Sequence, residues 1–97
     1  MLEIDNLVVE GKSFLGIKVT FRDIPPLLLI KGERGFVMCG YLNYDAAENL
    51  GATAAIVSGV NSFNDVLNAS IKNSTTKAKE LGLEPGKIVR DVISLLS

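Results

Sequence analysis

The sequence predicts an α+β domain in which an amino-terminal antiparallel sheet continues into a mixed sheet, with three or four helices packed mainly on one face. Three observations predict this class. Apolar and polar residues alternate at 15–22, a wholly apolar run occupies 27–30, and capped segments with helical character follow residue 42. Strands in the first half and helices in the second are typical of an α+β fold.

The amino-terminal region is predicted to contain two strands. Residues 1–9 indicate a strand with two partly apolar faces, because apolar side chains occur at both odd and even positions. A turn at Gly11 and Lys12 leads to residues 15–22, whose period of two is typical of a half-buried strand. The proline pair at 25–26 must end that strand, since proline lacks a backbone donor.

The next two segments are predicted to form a hairpin. Residues 27–30 are apolar without alternation, which favours a strand buried on both faces. Residues 32–35, with glycine at each end, indicate a type I turn closed by a glycine in the left-handed region. Residues 36–42 would then pair with 27–30 in antiparallel fashion.

A strand, a helix and a strand are predicted to follow as a parallel crossover. Asn43 or Asp45 can cap a helix over residues 43–50, Gly51 can end it, and a strand of small residues resumes at 52–60. The right-handed crossover would make the strands at 36–42 and 52–60 parallel neighbours.

Three further helical segments are predicted. Ser62 and Asp65 have the spacing of a capping box for a helix over 63–69, and Ile71 begins either a brief strand or a link. Ser74 can cap a third helix that ends at Gly82, and the apolar spacing at 88–96 indicates a fourth, amphipathic helix.

Length and composition indicate one domain over residues 1–97. We expect residues 1–26 to be its oligomerisation region and 27–97 its core with helices. If the helices cover one face of the sheet, the second face needs another cover, which a second copy of the chain would supply. The alternative is that strand twist lets one chain bury both faces.

Missing residue types exclude several kinds of chemistry and predict a location. The chain has no histidine and one cysteine, which excludes Ser-His-Asp and Cys-His catalysis, histidine-ligated zinc and an intramolecular disulfide. One free thiol and no signal peptide predict a cytoplasmic protein. Acidic residues show no metal-loop spacing, so we expect no metal and no cofactor.

Membrane and nucleic-acid partners are not expected. The formal net charge is −1, and the basic residues between 72 and 90 are interspersed with acidic ones and with no aromatic residue, which disfavours nucleic-acid binding. No apolar run approaches the length of about 20 residues that a membrane helix needs.

Cys39 is the one candidate for a catalytic group. A reactive thiol needs a cation, a helix amino terminus or a base nearby, and no histidine is present to act as that base. Cysteine is also among the residues most often buried as a small hydrophobe. We favour the buried, structural interpretation, and whether the chain is an enzyme stays open.

The candidate ligand-binding residues lie where the two predicted parallel strands end. A strand-to-helix turn can offer backbone N–H groups to an anion, but this turn lacks the glycine and lysine spacing of nucleotide-binding loops. We favour a plain turn over a binding site. The candidates are Asn43, Ser58, Gly59, Asn61 and Ser62.

Three motifs are distinctive: the run Gly35 to Leu42, the turn Ser58-Gly59-Val60, and the Leu81-Gly82 and Pro85-Gly86 pairs. In these motifs, residues 20–86 resemble the YunC-like family of bacteria and archaea, domain of unknown function 1805. It implies an α+β fold whose amino-terminal strands mediate tetramer formation, and it implies no activity. The chain departs from the family pattern after Gly86, where it has Lys-Ile-Val-Arg-Asp.

These observations lead to one functional hypothesis and one alternative. The hypothesis is a small cytoplasmic, homotetrameric domain that serves as a structural or interaction module without identifiable catalytic machinery. The alternative is a protein that binds a small molecule or an anion, or an enzyme, using Cys39 and the turn at 58–62 in a shared pocket.

Overall fold

All 97 residues are described by the structure, a computed structural model. Six strands form one sheet, in which spatial order follows chain order and only the β4–β5 pair is parallel. The predicted α+β class and mixed sheet are confirmed. The strands are β1 (Leu2–Val9), β2 (Lys12–Val19), β3 (Leu27–Lys31), β4 (Phe36–Met38), β5 (Ala54–Ile56) and β6 (Asn73–Ser74).

Four short α-helices and a terminal 3-10 turn accompany the sheet. None of the helices has the length and apolar content that crossing a bilayer requires. The elements are α1 (Tyr44–Asn49), α2 (Phe63–Asn68), α3 (Thr76–Leu81), α4 (Val89–Val92) and the 3-10 turn Ile93–Leu96.

β1 and β2 form a long hairpin that pairs Leu2 with Val19 at its open end. The predicted turn at Gly11 and Lys12 is one residue too late. Glu10 and Gly11 are the turn residues, with φ angles of 53° and 77°. Positive φ at both central residues is what the two-residue type I′ hairpin requires, so Lys12 already belongs to β2.

The β3–β4 hairpin is present, but two details of the prediction are wrong. β4 ends at Met38, because Leu42 donates its N–H to the Cys39 carbonyl and closes a turn over Gly40 and Tyr41. Gly35 does not have a positive φ. It is glycine for another reason: a Cβ there would lie 2.2 Å from the carbonyl oxygen of Thr53.

The parallel crossover through α1 is confirmed. Asn43 caps α1 by accepting the N–H of Ala46 at 3.1 Å, and Gly51 follows the helix with a φ of 74°. β5 is shorter than the predicted strand and pairs with β4 from Phe36 opposite Ala54 onward. The carboxyl ends of β4 and β5 therefore lie side by side.

The later helices largely follow the predicted caps. Ser62 caps α2 by accepting the N–H of Asp65 at 3.1 Å. The predicted cap of α3 is wrong, since Thr75 caps that helix and Ser74 pairs with Ala55 as part of β6. The predicted fourth helix over 88–96 begins as α4 and tightens into a 3-10 turn at Ile93.

The hydrophobic core lies between one face of the sheet and α2, α4 and the 3-10 turn. On β3, Leu28 and Ile30 are fully buried in this core, whereas Leu27 and Leu29 on the other face are only partly buried. The prediction that β3 is buried on both faces therefore fails within one chain. Helix packing is close on the core side: a Cβ at Gly16 would lie 2.8 Å from the Phe63 ring.

Candidate functional site

A cavity of about 390 Å³ opens at the carboxyl ends of β4 and β5. Because these two strands are parallel neighbours, the loops that follow them meet at the same edge of the sheet. A third wall comes from the proline pair that precedes β3. The cavity is lined by residues 25–26, 39–41 and 58–61.

Tyr41 holds two of these walls together. Its hydroxyl group donates a hydrogen bond of 2.7 Å to the carbonyl oxygen of Pro25. Its ring lies 6.0 Å, centroid to centroid, from the ring of Phe21 in a tilted arrangement. The loop after β4 is thereby fixed to the segment that links β2 to β3.

Cys39 lies on the cavity wall, but the surrounding chain buries it and leaves a relative exposure of only 4%. Its Sγ atom accepts the N–H of Leu28 at 3.3 Å, and it lies 3.9 Å from the carbonyl oxygen of Pro26. The sulfur thus serves as an acceptor where the β3–β4 ladder ends. These contacts provide no base for the thiol, which favours a structural role.

The turn after β5 is organised by contacts within the protein. Gly59 has a φ of 71°, a left-handed conformation that favours glycine. The N–H of Asn61 donates to Oδ2 of Asp65 at 3.0 Å, so a carboxylate already occupies the start of α2. No lysine or arginine lines the cavity. Both facts disfavour an anion at this turn.

The structure brings four of the six predicted site residues together. Cys39, Ser58, Gly59 and Asn61 line the cavity. Asn43 and Ser62 do not line it, since each has its side chain engaged as a helix cap. Sequence reasoning missed the proline pair and Tyr41, because their proximity to the β5 turn depends on strand pairing across the sheet.

A second surface feature lies on the face of the sheet opposite the core. Leu2, Ile4 and Val8 of β1 are 61%, 62% and 65% exposed. The register places them beside the outward residues of β2, which in turn lie beside those of β3. We call this set the apolar face: Leu2, Ile4, Val8, Leu15, Ile17, Val19, Leu27 and Leu29.

One carboxylate away from both features is electrostatically distinctive. Glu48 of α1 accepts hydrogen bonds from the hydroxyl group and the N–H of Thr76, at the start of α3. The hydroxyl contact, followed by the N–H contact and the charge of Lys79, lowers the pKa of Glu48. The contact ties α1 to α3 and has no part in the cavity.

The chain is thus an α+β domain with an apolar-walled cavity at the ends of its parallel strands and an uncovered apolar sheet face. No group of three or more cysteine and acidic side chains is arranged to hold a metal ion. A sequence model of the family Domain of unknown function (DUF1805) matches residues 38–96, and the chain belongs to that family.

Two relatives extend the match over almost the whole chain. The "Uncharacterized protein YunC" of Bacillus subtilis (strain 168) is 23% identical over 97 residues, which cover 96% of this chain and 95% of that protein. The crystal structure of a protein of unknown function, TA1206 from Thermoplasma acidophilum, superposes with a TM-score of 0.94 at 36% identity. That match covers 100% of this chain and 94% of the other. Neither the description of the family nor the names of these two relatives assign a catalytic function.

Proposed function

We propose that the protein is a cytoplasmic interaction module that assembles as a homotetramer through its amino-terminal strands. Residues 1–26 supply the main contact region, and residues 27–97 form the folded core that holds it in place. The observation that carries this proposal is the apolar face, where three large aliphatic side chains of β1 are each more than 60% exposed.

An uncovered surface of this kind favours a partner of the same chemistry. Contiguous apolar patches on a soluble domain usually mark a contact surface, because their exposure to water costs free energy. The cross-strand pair of Ile4 and Ile17 lies near the middle of the β1–β2 register, with Leu29 beyond it on β3. Two copies related by a two-fold axis would cover this aliphatic surface mutually.

A tetramer requires a second self-complementary contact, and the edge of the sheet offers one. β1 pairs only with β2, so eight residues of β1 present one unpaired ladder edge. An apolar face and a strand edge are two different surfaces, and two isologous contacts generate a closed tetramer. The number of subunits that the family resemblance implies agrees with this arrangement.

Sedimentation velocity of the full chain and two lysine variants tests the proposal. Ile4→Lys places a charge in the middle of the apolar face and should weaken assembly at least about tenfold, since an unpaired buried charge is costly. Leu50→Lys is the matched control, because Leu50 is 85% exposed at the end of α1, outside the sheet. It should sediment like the unmodified chain.

The opposite pattern would contradict the proposal. If Ile4→Lys and the unmodified chain sediment identically over a wide concentration range, the apolar face is not the assembly surface. Circular dichroism of both variants establishes that any loss of assembly occurs in a folded protein.

A further inference from the structure

The loops that line the cavity at the ends of β4 and β5 have backbone hydrogen-bond donors that the protein does not use. The backbone N–H groups of Gly40 and Tyr41 on one loop, and of residues 58–60 on the other, donate to no protein acceptor. All five residues line the cavity. A backbone donor without a protein acceptor can bind water or a ligand, so this group of donors is available to a molecule from outside the chain.

The remaining wall of the cavity is largely apolar. Pro25 and Pro26 form one side, and Val60 is buried with only 5% exposure. A volume of about 390 Å³ lies at the lower end of the range for small-molecule pockets, whose walls are typically apolar with a few placed polar groups. The cavity therefore fits a compact molecule with an apolar body.

The charges near the cavity decide which kind of ligand the loop N–H groups bind best. No cationic side chain lines the cavity, and the Asp65 carboxylate accepts the N–H of Asn61, which is a lining residue. A negative ligand would be repelled by Asp65 and would have no counter-charge. A neutral carbonyl oxygen accepts hydrogen bonds from N–H groups without that repulsion.

We propose that this cavity is a binding site for a small neutral amide or ketone. Its carbonyl oxygen accepts hydrogen bonds from the loop N–H groups after β4 and β5, and its apolar part lies against the proline pair and Val60. The site is formed within one chain, so it does not depend on the proposed assembly.

An amide-resolved NMR titration of the full ¹⁵N-labelled chain tests this site with two probes of the same shape. Benzamide is neutral, and benzoate replaces its amide with a carboxylate. Benzamide should produce saturable shifts centred on the amides of residues 40–41 and 58–60, and benzoate should bind at least about tenfold more weakly.

One substitution in the cavity and one outside it provide the test and its control. A Cβ at Gly40 would meet no atom within 4 Å, and its φ is not in the left-handed region. Gly40→Leu should therefore fold and fill part of the cavity, which weakens benzamide binding at least about tenfold. Leu50→Ala changes a side chain that is 85% exposed at the end of α1 and does not line the cavity, and it should bind benzamide as the unmodified chain does.

Three results would overturn the proposal. They are the absence of saturable shifts at these amides with benzamide, equal or tighter binding of benzoate, and unchanged benzamide binding by a folded Gly40→Leu variant. In each case the free donors are satisfied by water alone or the site has a different chemistry.

Discussion

Replacing Gly35 with alanine should destabilise the parallel β4–β5 pair that positions the cavity. A Cβ at Gly35 would lie 2.2 Å from the carbonyl oxygen of Thr53. That same oxygen accepts the N–H of Phe36 at 3.0 Å, at the start of the parallel pairing. Because the obstacle is backbone rather than a flexible side chain, the two chain segments themselves must move apart.

The size of the effect follows from this geometry. The segments must separate by about 0.8 Å before the new contact reaches even 3.0 Å. Forced overpacking costs roughly 1–3 kcal/mol, and weakening of the hydrogen bond from Phe36 adds about 1 kcal/mol. We expect Gly35→Ala to lower the free energy of unfolding by about 2–4 kcal/mol.

Urea denaturation at one fixed protein concentration measures this loss, since assembly would couple stability to concentration. The midpoint should fall by about 1–2 M, given the slopes typical of small domains. Gly40→Ala is the matched control, because a Cβ at Gly40 has free space. Alanine also lowers the conformational entropy of the unfolded chain, which should raise the free energy of unfolding by up to about 1 kcal/mol. Equal midpoints for Gly35→Ala and the unmodified chain would refute the reasoning.

Two other predictions concern Glu48 and Cys39. The folded-state pKa of Glu48 is lowered, first by the Thr76 hydroxyl group, so its stabilising effect exists at neutral pH and is lost as pH falls through that pKa. Urea midpoints of the unmodified chain and Glu48→Gln should therefore converge on acidification, and a gap independent of pH would contradict this cause. Cys39→Ala should cost about 1–3 kcal/mol, because the N–H of Leu28 loses its acceptor. The native thiol should react slowly with Ellman's reagent and fully in urea, and rapid native labelling would show that Cys39 is accessible.

Local chemistry made much of the fold predictable. Asn43 and Ser62 act as the caps that their positions before helical segments indicate, because a cap needs only groups three residues away. The alternation in β2 correctly indicated a strand, although its apolar set faces away from the core, where Phe14 is buried and Leu15 is 38% exposed. The strand-helix-strand order correctly made β4 and β5 parallel neighbours. Ser74 and Thr75 show the limit: both can cap a helix, and only the pairing of Ser74 with Ala55 decides between them.

The candidate site was predictable in part for the same reason. The loops after β4 and β5 could be placed together from the parallel crossover, which brought Cys39 and Ser58 to one edge. The contribution of Pro25 to the cavity wall could not be predicted, because it depends on a hydrogen bond from Tyr41, sixteen residues away. The sequence indicated that the second face of β3 needs a further cover, but an apolar run does not show which of its side chains point to the core and which stay partly exposed.

The native mass of the unmodified chain, measured by multi-angle light scattering over a concentration series, tests the central proposal most directly. A mass of four chains that persists on dilution is the expected result, because the apolar face then has its partner. A mass of one chain, 10.4 kDa, at every concentration would contradict assembly through the amino-terminal strands.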